Sequence, residues 1–242
     1  MAPASNKACD MIRYGYLLTA TTFAWALCAC DNGDREVAHG ASGTSAVNGS
    51  LHVPAGEHTG SVATVNGEVS IDANATVTTV HTVNGSIDLG AHSSATSVNA
   101  VNGPVTLGEG ARVTGGITTV NGTIKLDAGV DVGGALKNVN GEMILTGAHV
   151  GGGLVTVGGD IDVAAASRVE GGIHVENSSG GWLGSLFGHD TGKPRIVIGP
   201  GAIVQGELRF DREVTLYVSD TATIGPVTGA TPVRFSGDKP PA

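Results

Sequence analysis

Residues 64–89 read TVNGEVSIDANATVTTVHTVNGSIDL. This stretch contains the tripeptide Val-Asn-Gly twice, 18 residues apart, and apolar and polar residues alternate in short runs between the two copies. The tripeptide recurs along the chain with Asn at 48, 66, 84, 102, 121 and 140, at spacings of 18, 18, 18, 19 and 19 residues. A degraded copy, Val157-Gly158-Gly159, follows 18 residues later. A fixed period of this size predicts a solenoid.

Apolar residues recur at fixed places in every repeat. One pair follows each Asn-Gly, as at Val69 and Ile71, and a weaker pair comes later in the repeat, as at Ala75 and Val77. A single apolar position precedes the tripeptide, as at Val62. The valine of the tripeptide, as at Val65, forms a further apolar column. Alternation with a period of two is typical of strands that bury one face. We therefore predict an all-β fold, a right-handed parallel β-helix (β-solenoid) of about nine coils, with roughly 18 residues and three short strands per coil.

The Asn-Gly pairs allow two structural interpretations. In a hairpin protein each pair would form a type I′ turn, but hairpins do not explain apolar columns in near-constant register. In a β-helix each pair lies at a corner, where Gly adopts a positive φ and stacked Asn side chains hydrogen-bond as a ladder. A row of ligand-binding amides is the functional alternative. We expect a structural corner ladder that consists of Asn48, Asn66, Asn84, Asn102, Asn121 and Asn140.

The N-terminal segment is typical of a bacterial lipoprotein signal peptide. A short basic start precedes an uncharged run, residues 14–29, that is too short to span a membrane as a helix. The run ends Leu27-Cys28-Ala29-Cys30, which resembles a lipobox. We expect cleavage between Ala29 and Cys30, and lipid attached to Cys30 as a membrane anchor. Both Met1 and Met11 are compatible with the start of such a signal.

This interpretation divides the chain into four parts. Residues 1–29 form the signal peptide, residues 30–45 the lipidated cysteine with a flexible polar tether, residues 46–235 the β-helix domain, and residues 236–242 a polar tail. The expected location is the bacterial cell envelope, on either the inner or the outer membrane and facing the periplasm. The mature chain has no cysteine beyond Cys30, so no disulfide crosslinks the fold.

Composition excludes several classes of protein. Glycine accounts for 39 of 242 residues and aromatic residues for only 4%, which disfavours a helical bundle. The formal net charge of −9 argues against a nucleic-acid partner, because nucleic-acid binding needs a basic surface.

One segment interrupts the period. Residues 178–195 read SSGGWLGSLFGHDTGKPR and carry no repeat columns, so we expect a loop inserted into an otherwise continuous coil. Two outcomes remain open: the loop covers a flank of the solenoid, or it docks on a protein partner or the membrane surface. The candidate contact residues are Trp182, Leu183, Leu186 and Phe187.

Two family resemblances follow from these motifs. The stretch IVIGPGAIVQGEL, residues 196–208, is similar to the core repeats of bactofilins, which are polymer-forming cytoskeletal proteins; the matching residues are Ile198, Gly199, Gly201, Val204, Gly206 and Leu208. The Val-Asn-Gly-Ser-Ile phrases resemble a β-strand-repeat, adhesin-like family of bacterial envelope proteins. Both resemblances imply a β-helix, and the first implies a homopolymer formed through the helix ends.

The sequence offers little chemistry. Outward positions bring together one acidic trio, Glu142, Asp160 and Asp162, with no neighbouring Lys or Arg in these columns. The eight histidines show no metal-ligand spacing, and no glycine-rich loop opens a helix, so we expect no metal, no cofactor and no nucleotide. The expected function is a non-enzymatic, lipid-anchored scaffold or adhesin-like protein, with an unidentified protein or polysaccharide partner. The alternative is a β-helix that binds or cleaves polysaccharide, which the acidic trio supports.

Overall fold

The computed structural model describes residues 35–36, 42–164, 166–177 and 192–241, all within one compact unit, Asp31–Ala242. These residues form strands, turns and loops, and no helix occurs among them.

The strands are short and numerous, and they repeat in the order in which the chain passes around the solenoid. The first eight are β1 (Arg35–Glu36), β2 (Gly43–Asn48), β3 (Leu51–Val53), β4 (His58–Asn66), β5 (Val69–Ile71), β6 (Thr76–Asn84), β7 (Ile87–Leu89) and β8 (Ser94–Asn102). The next twelve are β9 (Val105–Leu107), β10 (Arg112–Val113), β11 (Ile117–Asn121), β12 (Ile124–Leu126), β13 (Asp131–Val132), β14 (Leu136–Asn140), β15 (Met143–Thr146), β16 (His149–Val150), β17 (Leu154–Thr156), β18 (Ile161–Ala164), β19 (Arg168–Val169) and β20 (Ile173–Val175). The last seven are β21 (Arg195–Ile198), β22 (Ile203–Val204), β23 (Leu208–Phe210), β24 (Thr215–Ser219), β25 (Thr223–Ile224), β26 (Val227–Thr228) and β27 (Val233–Phe235).

Every strand pairs in parallel with the strand one turn before or after it. The first face of the solenoid is an 11-stranded sheet in the order β1-β3-β5-β7-β9-β12-β15-β18-β21-β24-β27. The second face contains β10, β13, β16, β19, β22 and β25, and the third contains β11, β14, β17, β20, β23 and β26; both belong to one branched 16-stranded sheet. The prediction of a parallel β-solenoid is confirmed, with about ten turns spaced about 18 residues apart.

The solenoid begins earlier than the sequence suggested. Strand β1 pairs with β3, and β2 pairs with β4, so part of the segment predicted as a tether, residues 30–45, belongs to the first turn. The tether was inferred from polar composition, but a parallel strand pairs through its backbone and does not require apolar side chains. This extra turn accounts for the difference between the about nine coils predicted and the about ten turns observed.

One inserted residue explains why the period changes from 18 to 19. In β4, β6 and β8 a single nine-residue strand runs across both the second and third faces. From Arg112 onward two strands replace it, because Val113 and Ile117 are four residues apart where Ala95 and Val98 are three apart. The added residue belongs to the glycine pair Gly115-Gly116. The 16-stranded sheet branches at β8 for this reason.

The core is a stack of aliphatic columns. Leu51, Val69, Ile87, Val105 and Ile124 are fully buried one above another on the first face, and similar columns fill the other two. Burial of this kind contributes most of the free energy of folding, at about 25 cal/mol per Å² of apolar surface.

The valine of the tripeptide forms an apolar column, as the sequence indicated, but this column does not belong to the core. Val65 is 39% exposed, and the inward position beside it is Thr64. Alternation counted from buried Val62 places Thr64 inside and Val65 outside. The Thr64 Oγ1 donates a hydrogen bond to the carbonyl oxygen of Gly49 in the preceding turn, 3.1 Å away, whereas the buried hydroxyls of Thr82 and Thr119 in the same column have no partner among the described residues.

The corner glycines are required by close backbone stacking. Gly103 has φ +143°, and a Cβ there would overlap the carbonyl oxygen of Gly85 in the preceding turn. A second column of positive φ follows the first face and includes Gly56, Asn74 at φ 61° and His92 at φ 56°. This column is hidden in the sequence because side chains other than glycine occupy part of it.

Replacement of Gly103 by Ala should lower the free energy of unfolding by at least about 1–3 kcal/mol, the cost of a strained φ alone, and the overlap with Gly85 adds to it. The matched control is Gly56→Asn, because Gly56 has φ +72° with open space around its Cβ and Asn74 occupies the same position one turn later. Thermal and urea unfolding should show a clear loss for Gly103→Ala and little change for the control. Equal stability of Gly103→Ala and the wild type would contradict this assignment of the corner.

Candidate functional site

The asparagine column forms one continuous series of side-chain hydrogen bonds. Each Nδ2 donates to the Oδ1 of the asparagine one turn before it, from Asn66 to Asn48, Asn84 to Asn66, Asn102 to Asn84, Asn121 to Asn102 and Asn140 to Asn121, at 2.9–3.1 Å. Interior amides therefore use one donor and one acceptor within the ladder. The corner ladder performs a structural task, since it links turn to turn along an exposed edge.

The backbone reinforces this ladder at five of its six corners. The N–H group of each glycine that follows the asparagine donates to the carbonyl oxygen of the next asparagine; these bonds run from Gly49 to Asn66, Gly67 to Asn84, Gly85 to Asn102, Gly103 to Asn121 and Gly122 to Asn140, at 2.8–3.1 Å. At the degraded repeat the pattern changes, and the Gly159 N–H donates to Thr156 Oγ1 within its own turn.

A second chain of contacts runs along the second face. Asp131 accepts from Arg112 Nη1 at 2.8 Å and contacts His149 Nδ1 at 2.7 Å. The other ring nitrogen, Nε2, lies 3.3 Å from Glu170, which also contacts Arg168. Because carboxylates flank both ring nitrogens, the doubly protonated imidazolium is favoured. The hydrogen bond to Asp131 is the largest cause that raises the pKa of His149.

The third face carries a related cluster near its C-terminal end. His174 Nε2 and Arg209 Nε contact opposite oxygens of Asp211, at 2.7 and 2.9 Å. The hydrogen bond from His174, followed by that from Arg209, lowers the pKa of Asp211. An open depression of about 200 Å³ includes His174 and Arg209 of this cluster in its lining, together with Gly153, Gly171 and Gly172. This volume is below the ~300 Å³ of an ordinary small-molecule pocket.

The acidic trio lies on the first face beside a cation that the sequence columns did not reveal. Burial raises the pKa of Glu142, and the charges of Asp160 and Asp162 raise it further. Burial also raises the pKa of Asp162, whereas Arg195 lowers it. Arg195 is aligned with Asp160 one turn later, its backbone N–H donates to Asp160 Oδ1 at 2.7 Å, and its guanidinium lies 5.3 Å from the centre of the Tyr217 ring. The expectation that no cation accompanies the trio was wrong because 34 residues of sequence separate these two neighbours.

Several predicted site residues lie outside the described parts of the chain. These are Ala29 and Cys30, and the insertion residues Trp182, Leu183, Leu186 and Phe187. The last residues of the predicted insertion are described: Lys193 pairs with Glu213 at 2.8 Å, and Arg212 donates to the carbonyl oxygens of Val157 and Gly192. Arg195 already belongs to β21, so the loop ends before the predicted boundary.

The described residues lack two further features. They contain no group of three or more His, Cys, Asp or Glu side chains arranged to hold a metal ion. None of them forms a helix long and apolar enough to cross a membrane.

Comparisons of the chain with family models, with curated proteins and with solved structures gave no match.

The His149 network should make stability depend on pH. A pKa that folding raises contributes stability that is complete below the unfolded value of about 6.5 and is lost as pH rises through the folded value. We expect His149→Gln to lower the melting temperature most between about pH 5 and 6.5 and to have a vanishing effect at higher pH. The effect should stay within the ~0.2–1 kcal/mol of exposed ion pairs, since the ring is 40% exposed.

The control for this measurement is His81→Gln, because His81 has no carboxylate partner among the described residues. Melting temperatures across the pH range should show no comparable dependence in that variant. A His149→Gln effect that is constant with pH would show that the ring acts by packing rather than by charge.

Proposed function

We propose that this protein is a non-enzymatic, lipid-anchored β-solenoid scaffold, or adhesin-like protein, of the bacterial cell envelope. The observation that carries this proposal is the direction of its outer side-chain contacts, which run from turn to turn along the solenoid. The asparagine ladder, the Arg112–Asp131–His149–Glu170 chain and the His174–Asp211 pair all connect successive turns. Such contacts stiffen a regular structure.

The anchor is the part of this proposal that rests on sequence. The lipobox-like run Leu27-Cys28-Ala29-Cys30 follows an apolar signal segment. A diacylated N-terminal cysteine gives stable membrane attachment, which a single acyl chain does not.

Labelled palmitate should enter the wild-type protein in bacterial cells and should be absent from Cys30→Ala, which removes the thiol that carries the lipid. Cys28→Ala is the matched control, because it changes the cysteine two positions away and keeps a small residue in the lipobox. Fractionation should move Cys30→Ala out of the membrane fraction. Palmitate incorporated equally into Cys30→Ala would remove the anchor from the proposal.

The ends of the solenoid support self-association. Among the described strands, β2 pairs only with β4, and at the other end β25, β26 and β27 each pair with one strand. Unpaired edges of this kind bind further strands unless something covers them. Large apolar side chains are exposed near both ends, Val47 at 66% and Val233 at 47%. The resemblance of residues 196–208 to bactofilins points to the same end-to-end homopolymer.

A charge at one end should weaken this polymer. We expect Val47→Asp to lower the average mass measured by sedimentation and to shorten filaments seen by electron microscopy, using the chain from Asp31 onward. Val101→Asp is the control, because Val101 occupies the same outward column in the middle of the solenoid. A wild-type monomer at tens of micromolar, or equal effects of both variants, would contradict end-to-end assembly.

A polysaccharide-binding or polysaccharide-cleaving role is the second candidate. The observation that favours it is the cluster of Glu142, Asp160 and Asp162, where two carboxyl groups have raised pKa values. The scaffold is better supported because Asp160 already accepts the backbone N–H of Arg195, and this bond fixes the strand that follows the insertion.

A further inference from the structure

The six Asn-Gly pairs differ in one respect that bears on their chemistry. Asn-Gly is the dipeptide most prone to spontaneous deamidation, because glycine has no Cβ to shield its backbone nitrogen from the preceding side chain. The reaction requires that this nitrogen be free to approach the asparagine Cγ. Five of the glycine N–H groups are bonded to the carbonyl oxygen of the next asparagine.

The sixth pair, Asn140-Gly141, lacks this protection. In the next turn Gly158 stands where the ladder would continue, so no side chain donates to Asn140 Oδ1 from that turn. The Gly141 N–H has no acceptor among the described residues, because the regular bond pattern ends at the Gly158-Gly159 turn. The Asn140 side chain makes one hydrogen bond among the described residues, from its Nδ2 to Asn121 Oδ1 at 3.1 Å.

We propose that Asn140 is a site of spontaneous deamidation in the folded protein and that the ladder protects the other five asparagines. Hydroxide removes the Gly141 N–H proton, and the nitrogen attacks Cγ of Asn140 to close a five-membered succinimide. The bond from Cγ to Nδ2 breaks, and ammonia leaves after it takes a proton from water. A second water then opens the ring at either carbonyl and leaves aspartate or isoaspartate at position 140.

The product changes the end of the ladder. A carboxylate at position 140 cannot donate to Asn121 Oδ1, so the last ladder bond is lost. The new negative charge also lies two residues from Glu142, whose pKa the neighbouring acids already raise. Isoaspartate adds a methylene to the backbone at a corner that has no spare space, since a Cβ on Gly141 would overlap Gly122.

The sequence supplies a matched internal control. Residues 65–68 and 139–142 are the same tetrapeptide, Val-Asn-Gly-Glu, so the intrinsic reactivity of Asn66 and Asn140 is closely matched. Their environments differ: Asn66 donates to Asn48 and accepts from Asn84, and the Gly67 N–H is bonded to the Asn84 carbonyl oxygen.

To test this proposal, the chain from Asp31 onward is incubated at mildly alkaline pH. Aspartate and isoaspartate at each of the six Asn-Gly pairs are then quantified by peptide mapping. In the folded protein we expect Asn140 to deamidate at least about tenfold faster than Asn66, because hydrogen bonds must break before Asn66 reacts. In concentrated denaturant the two rates should converge. Equal rates of deamidation at Asn140 and Asn66 in the folded protein would overturn the proposal.

Discussion

The parallel pairing of one turn with the next, at about 4.8 Å, is the constraint on which the rest of this structure depends. At the corners no space is left for a side chain between turns: a Cβ on Gly85 would overlap the Gly67 carbonyl oxygen, and the same holds one turn later. The corner therefore requires glycine. The residue before each glycine faces outward and stacks on the corresponding residue of the neighbouring turn. Stacked asparagines at that place satisfy one another and leave no unpaired amide inside the ladder.

The same spacing decides which features could be predicted from sequence. Columns of identical residues reveal both the parallel pairing and its register, so the fold class follows from the Val-Asn-Gly repeat. The inward or outward direction of single residues is harder to predict, because threonine replaces an apolar side chain at one buried column. Thr64 is buried there and Val65 is exposed. The second column of positive φ could not be predicted from the sequence, because Asn74 and His92 adopt this conformation at positions where a glycine would have indicated it.

The candidate sites were harder to predict than the fold because the insertion separates neighbours. Arg195 and Asp160 are adjacent in space, yet any search confined to one regular period misses them. The His149 network is different: Arg112, Asp131, His149 and Arg168 occupy one outward column, and this column of ionisable side chains is readable once the second-face register is known. These residues were visible in the sequence, but strands of two residues show too little alternation to establish which residues are aligned.

The solenoid uses two kinds of side-chain link between turns, and the chain changes from one to the other along its length. No Lys or Arg occurs from Val37 to Ala111, and most of the asparagine ladder lies in this part. The N-terminal turns also contain one His–Asp contact, His52 Nε2 to Asp72 at 2.9 Å. From Arg112 onward ion pairs that involve Arg or Lys appear, and beyond Asn140 the column that asparagine occupied contains Arg212, which donates to the carbonyl oxygen of Val157. Neutral amide bonds are insensitive to salt and to moderate changes in pH, whereas exposed ion pairs are screened and titrate. Apart from the His52–Asp72 contact, the described side-chain links between the N-terminal turns are therefore ones that the surrounding solution barely affects. The C-terminal turns, which also carry the insertion, are held by links that respond to the salt concentration and pH of the solution.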